Sequence, residues 1–159
     1  MMYDNLLGHT YEIGVRDCYS LIKDFYKQNY DIELRNYARP DNWWKADLNL
    51  YYTNFSKEGF EVTDDPITDL QIGDLILMAF DCGFPNHCAV YVGGGKIIHH
   101  PYNQLSREEF LRGAYRNNMT AVIRRKNLPV LVKPEEVFDL SQHLSQHWKD
   151  KLDEKETEN

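Results

Sequence analysis

Three side chains carry the chemistry this chain can do: Cys18, in Arg16-Asp17-Cys18-Tyr19-Ser20-Leu21-Ile22, and His87 and His99, on either side of Gly93-Gly94-Gly95. A turn running into an amphipathic helix sets the thiol at a helix start. There backbone N–H groups and the helix dipole favour a thiolate, and a neighbouring imidazolium favours it further. A thiolate, a base and an orienting group in a row are the arrangement of nucleophilic acyl transfer. Cys18 would attack a carbonyl. His87 would take the thiol proton and return one to the leaving amine, and His99 would hold His87 in the required tautomer and ring orientation. The backbone N–H of Cys18 and the hydroxyl of Tyr11 are the candidate oxyanion donors. The expected signature is a depressed Cys18 pKa and a bell-shaped rate profile.

Each residue also has a plainer reading. A lone cysteine near a helix start also serves as a small buried hydrophobe, and a histidine at a strand edge also serves structure alone. Cys82, His87, Cys88, His99 and His100 lie close enough in sequence to raise a metal site. No Cys-x-x-Cys pair is present, however, and His87 and Cys88 alternate to opposite faces of a strand. The expectation is therefore a metal-free, cofactor-free site.

The elements that must position these groups follow from hydrophobic periodicity. Asp17 reads as an N-cap, and Cys18, Leu21, Ile22, Phe25 and Tyr26 share one helical face that fades near Asn29. Residues 30–47, polar and aromatic with Pro40 and Trp43-Trp44, read as an irregular excursion, followed by a short helix carrying Leu48, Tyr51, Tyr52 and Phe55 before Gly59. Residues 73–80 form a buried strand announced by Gly73-Asp74. His87 to Val92 and Lys96 to His100 form a hairpin, and residues 119–125 a further strand. One leading helix followed by antiparallel strands is an α+β domain.

Register can be counted. A three-residue loop over Gly93–Gly95 sets Val92 opposite Lys96, hence Ala89 opposite His99, with His87 diagonal to His99 on the same face. Diagonal neighbours lie roughly 7–8 Å apart, within reach of ring-sized side chains. His100 then points to the opposite face, and a bulge would exchange the two faces.

Composition narrows the classes. The chain has 159 residues, 42% hydrophobic and 13% aromatic, enough for one domain with a real core. Twenty-five acidic against eighteen basic residues give a net charge of −7, and no basic stripe for a nucleic acid is present. An odd count of three cysteines suits a reducing compartment better than a disulfide framework. No stretch is long and apolar enough to span a membrane. The N-terminus has neither the basic region nor the apolar run of a signal peptide, so the expectation is synthesis in the cytoplasm. After Asn127 the character changes. Residues 1–127 read as the domain. Residues 128–159 read as a connector and an amphipathic helix (Leu140, Leu144, Trp148, Leu152) with a charged tail, which packs on its own domain or docks to a partner. Trp43 and Trp44, with Tyr19 nearby, are candidate groove residues. The competing reading is a satellite core over the sheet.

Taken together, Tyr11-x-x-Gly14-x-x-Asp17-Cys18, Gly73-Asp74-Leu75, His87-x-Ala89-x-Tyr91-x-Gly93 and His99 resemble the NlpC-type cell-wall peptidases, a papain-like cysteine peptidase family. More narrowly, Asp17-Cys18-Tyr19-Ser20-Leu21, Asp41-Asn42-Trp43-Trp44, Asn49-Leu50-Tyr51, Pro85-Asn86-His87, His99-His100 and Leu105-Ser106 are similar to tail-tip assembly proteins of lambda-like phages. The resemblance runs from about Tyr11 to Lys126. It implies an N-terminal helix bearing the cysteine, packed on an antiparallel sheet bearing the histidines. It also implies cleavage of peptidoglycan stem peptides through a thioester, without metal. Carried over by position, Cys18 is the nucleophile, His87 the base, His99 the third polar residue, and Tyr11 the tyrosine near the oxyanion site. In the phage subset the implied setting is a virion tail tip, with tail proteins as partners and action at the host periplasm and wall. Where many cellular relatives read Asp-Cys-Ser-Gly, this chain has Asp17-Cys18-Tyr19-Ser20, so their rule for a free stem-peptide amine does not carry over. A silent structural subunit, or a thiol amidase or acyltransferase, would use the same scaffold.

Overall fold

A computed structural model describes residues 2–46, 48–64 and 68–131. The amphipathic C-terminal helix expected beyond Pro134 lies outside the described residues. Helix α1 spans Cys18–Tyr30. Asp17 caps it, its side chain accepting from the Ser20 backbone N–H at 2.8 Å, and Asp31 closes it in the left-handed conformation. Such an N-cap contributes about 1 kcal/mol. The described residues of 31–49 have no α-helix or strand, only a short 3-10 turn at Trp43–Ala46, and a second short helix, α2, covers Leu50–Phe55.

Among the described residues six strands, β1 (Phe60–Val62), β2 (Leu75–Met78), β3 (His87–Gly93), β4 (Lys96–His99), β5 (Arg107–Phe110) and β6 (Met119–Arg125), form one sheet in the order β1-β6-β2-β3-β4-β5. Every pairing is antiparallel. A one-turn helix, α3 (Ala114–Asn117), links β5 to β6. The fold is α+β. The charged run Arg107-Glu108-Glu109-Phe110 was not legible as a strand. Among the described residues it pairs only with β4 and stands at the sheet edge, where polar side chains are tolerated.

The period-2 alternation of the central strands sorts their side chains into two layers. Leu75, Leu77, Cys88, Val90, Val92 and Ile98 pack with Leu21, Ile22, Phe25 and Tyr26 of α1 in the larger core. Ile76, Met78, Ala89, Ile97 and Val122 face the other way, against Leu111, Phe80 and Tyr115. Leu128 and Leu131 also pack on the larger core, so apolar contact continues past Asn127.

The hairpin turn differs from the counted one, and the difference preserves the register. Gly93 pairs with Lys96, leaving a two-residue Gly94-Gly95 loop with φ of +61° and +71°, a conformation that suits glycine. A register shift between Tyr91 and Gly93 then absorbs Val92, so Tyr91 faces Ile97 and Val90 faces Ile98. Shorter loop and bulge cancel. His87 and His99 therefore share the face that carries Ala89 and Ile97.

Candidate active site

The loop before α1 delivers Cys18. Glu12 and Arg16 bridge in a tight turn with Gly14 at φ +77°. The Gly14 N–H donates to Asp17 Oδ2 at 2.7 Å, and Asp17 Oδ1 also accepts from the Ser20 hydroxyl at 2.9 Å. Asp17 is thus committed to ordering the helix start. On the other side, Asn86 holds the turn before β3, accepting from the Phe80 N–H at 2.9 Å and donating to the Phe80 carbonyl at 2.8 Å. That clamp sets His87 as the first residue of its strand.

Cys18 and His87 line one cleft of about 310 Å³, whose walls include Tyr11, Asp17, Arg39, Trp44, His100, Tyr102 and Tyr115. His87 Nε2 and His99 Nδ1 are 2.9 Å apart. His99 is fully buried behind His87, with the Tyr115 ring edge-on at 4.7 Å. The pairing leaves His87 Nδ1 as the nitrogen free to meet a thiol. Tyr11 stands in the cleft wall with its ring against His100 and Tyr102, at 5.4 and 5.2 Å. Burial, with Cys18 and Asp17 nearby, holds its phenol protonated and therefore able to donate.

Three expectations need correction. First, the thiol is not depressed. Burial, with the Asp17 charge beside it, pushes Cys18 up to about 11, although a Tyr51 hydrogen bond and the Cys88 backbone pull the other way. Second, no imidazolium stands by to offset this, because burial and then its histidine neighbours push His87 down to about 3. The resting pair is neutral thiol and neutral imidazole. The Cys18 sulfur hydrogen-bonds at 2.9 Å to the Tyr51 hydroxyl, not to His87. Third, Tyr19 does not line the cleft that Cys18 and His87 share. One position past Cys18, it turns about 100° around the helix into the aromatic layer. There it packs against Tyr37 and Phe55, and its hydroxyl donates to the Arg35 carbonyl at 2.8 Å. Trp43 and Trp44 divide between the two readings. Trp43 is buried on Tyr51 and reaches the cleft floor, whereas Trp44 is half-buried in the wall, its ring edge-on to Tyr102 at 5.3 Å.

Sequence reasoning missed Arg39. Its Nε donates to Asp17 Oδ2 at 2.7 Å and its Nη2 to the Ser20 hydroxyl at 3.1 Å, with the guanidinium 4.9 Å from the Tyr19 ring centroid. Burial works to raise the Asp17 carboxyl, and Arg39 outweighs it, holding the group below the usual carboxylate range. A cation therefore occupies the acidic corner beside the nucleophile. Nothing in the spacing of Arg35 and Arg39 within 30–47 announces that one of them has a partner across twenty-two residues.

The NlpC/P60 family profile matches residues 8–125, which include Tyr11, Cys18, His87 and His99. The chain belongs to the NlpC/P60 family. Tail tip assembly protein K of Escherichia phage lambda is 39% identical over 105 residues, 66% of this chain and 51% of that protein. Tail tip assembly protein K of Escherichia phage N15 is 29% identical over 128 residues, 77% of this chain and 50% of that protein. This NlpC/P60 chain thus spans about half the length of the curated relatives it matches. Among solved structures, the NlpC/p60 domain of peptidoglycan hydrolase SagA aligns with a TM-score of 0.52 at 16% identity, covering 77% of this chain and 92% of that one. At that identity the likeness is one of fold. No helix among the described residues is long and apolar enough to cross a membrane.

Proposed function

We propose that this NlpC/P60 chain is a thiol peptidase that cleaves peptidoglycan stem peptides and rides on a phage tail tip, beside other tail proteins, to open the wall for DNA delivery. The observation that carries the chemistry is the His87–His99 pair behind a cleft that also exposes Cys18. Family membership supports the reaction class, and the tail-tip names of the two phage relatives support the setting.

Because thiol and imidazole rest neutral, activation accompanies attack. The Cys18 sulfur leaves Tyr51 and bonds to the scissile carbonyl carbon while its proton passes to His87 Nδ1. The resulting oxyanion lies against the Cys18 N–H and the Tyr11 hydroxyl. Collapse breaks the C–N bond, with the proton on His87 returned to the departing amine, and leaves a thioester. Water, deprotonated by His87, hydrolyses the thioester and restores the thiol. At neutral pH the His87 imidazole is deprotonated and therefore able to accept the proton.

A second reading is favoured by one feature. The sulfur is bonded to Tyr51 and not to His87, and burial keeps its proton on, which suits a silent tail-tip subunit. A thiol amidase or acyltransferase would differ only in the acyl donor or acceptor. Incubation of the purified protein with muropeptides, with products read by mass spectrometry beside a Cys18→Ala control, separates these. Cleavage within the stem that disappears in C18A is the expected result. Activity that survives C18A removes the mechanism. No activity in either protein moves the chain to the structural reading, and transfer products in place of hydrolysis indicate an acyltransferase.

A further inference from the structure

The row of polar groups on the outer face of the sheet does not end at His99. Strand β5 continues it, with Arg107 directly opposite His99 and Glu109 opposite Ile97. Glu109 is therefore diagonal to His99 across β4 and β5, with the same offset that places His87 diagonal to His99 across β3 and β4. Its Oε2 lies 3.8 Å from His99 Nε2. That nitrogen is fully buried and has no hydrogen-bond partner among the described residues. The carboxylate is clasped in place: Arg107 Nε donates to Glu109 Oε1 at 2.6 Å, and Arg107 Nη2 donates to the Tyr115 hydroxyl at 3.2 Å. The Tyr115 ring, 89° to the His99 imidazole, walls off its other side.

Tautomers give this geometry a consequence, which rests on the peptidase reading above. To accept the thiol proton at Nδ1, His87 must carry its resting proton on Nε2 and donate it to His99 Nδ1. His99 Nδ1 must then be bare, so the proton of neutral His99 sits on Nε2. The opposite arrangement has His99 Nδ1–H donating to His87 Nε2, which leaves a proton on His87 Nδ1 and no base for the thiol. The 2.9 Å contact is equally good either way, so the pair alone does not choose. We propose that Glu109 is the positioning residue that makes the choice, the outermost member of a chain Cys18–His87–His99–Glu109. Its negative charge faces the one nitrogen that must hold a proton. A side-chain movement of about 1 Å brings the contact into charge-assisted hydrogen-bond range when His87 becomes positive during attack. Arg107 serves the arrangement twice. It anchors the carboxylate, and its own charge keeps His99 from taking a second proton, with burial as the larger cause.

The test uses the wild-type protein and two variants, Glu109→Leu and Glu109→Gln, with 15N-labelled histidine. Long-range 1H–15N spectra distinguish the two tautomers at each ring. Expected is His99 protonated at Nε2 in the wild type. In E109L it becomes a mixture or the Nδ1–H form, and E109Q, whose amide oxygen still accepts, falls between. On muropeptides, E109L should lose kcat on the order of 10–100-fold at unchanged KM, with E109Q partly restoring it and melting temperatures close to wild type. Wild-type His99 in the Nδ1–H form overturns the proposal without any variant, as does an E109L spectrum identical to wild type. Because the spectra are read on the resting protein, a tautomer change in E109L with no muropeptide activity in any form supports the role of Glu109 and removes the peptidase reading instead.

Discussion

Burying two imidazoles at the heart of the site makes the fold itself acid-sensitive, in a pH window that can be predicted. His87 and His99 are held near 3 in the folded protein against an ordinary value of 6.5, by burial first and then by the neighbouring imidazoles and Arg107. The unfolded chain therefore binds more protons than the folded one between those values, so stability rises with pH across the window and is lost as pH falls through it. Between pH 7 and pH 5 each histidine takes away roughly 2 kcal/mol, so about 4 kcal/mol for the pair, out of a typical total of about 5–15 kcal/mol. The figure depends on the unfolded value and only on the folded value lying well below 5. Asp17, held below the usual carboxylate range by Arg39, works in the same sense on the acid side of pH 5. His100, also held low by burial, adds in the same sense. Urea titrations followed by far-UV circular dichroism at pH 7, 6 and 5 read the effect. With a slope of about 2 kcal/mol per molar, the midpoint should fall by about 2 M from pH 7 to pH 5. His99→Asn, which keeps a polar partner for His87 but cannot titrate, should lose about half of that dependence. Midpoints that agree within a few tenths of a molar at pH 7 and 5 would refute the burial argument.

Two further outcomes follow from the residues around the thiol. Arg39→Met strips the guanidinium from a carboxylate that is 2% exposed. It should cost about 3–5 kcal/mol by urea titration at pH 7, with the Asp17→Asn/Arg39→Met double variant well short of additive; an additive double variant contradicts the pairing. Tyr51→Phe removes a hydroxyl that stabilises the Cys18 thiolate. It should raise the thiol by about one further pKa unit and slow its modification by a disulfide reagent roughly tenfold at fixed pH. Modification as fast as wild type would show that the bond does not help the thiolate.

The sequence alone determined the elements whose signals are local. Asp17 ahead of an apolar stripe announced α1, because a cap and a 3.6-residue period are properties of adjacent residues. Gly93-Gly94-Gly95 announced the hairpin, and period 2 put His87 and His99 on one face even though the turn was two residues and bulged. The motif order also identified the family. Tertiary structure decided what depends on burial and on partners distant in sequence. The Cys18 and His87 pKa values moved opposite to the local expectation, because a helix dipole acts over one turn while desolvation depends on everything packed around the group. Arg39 reaches Asp17 only because the irregular segment folds back over the helix start. Glu109 lay in a charged run with no strand signal, and only the pairing of β5 with β4 brings its carboxylate to the buried nitrogen of His99.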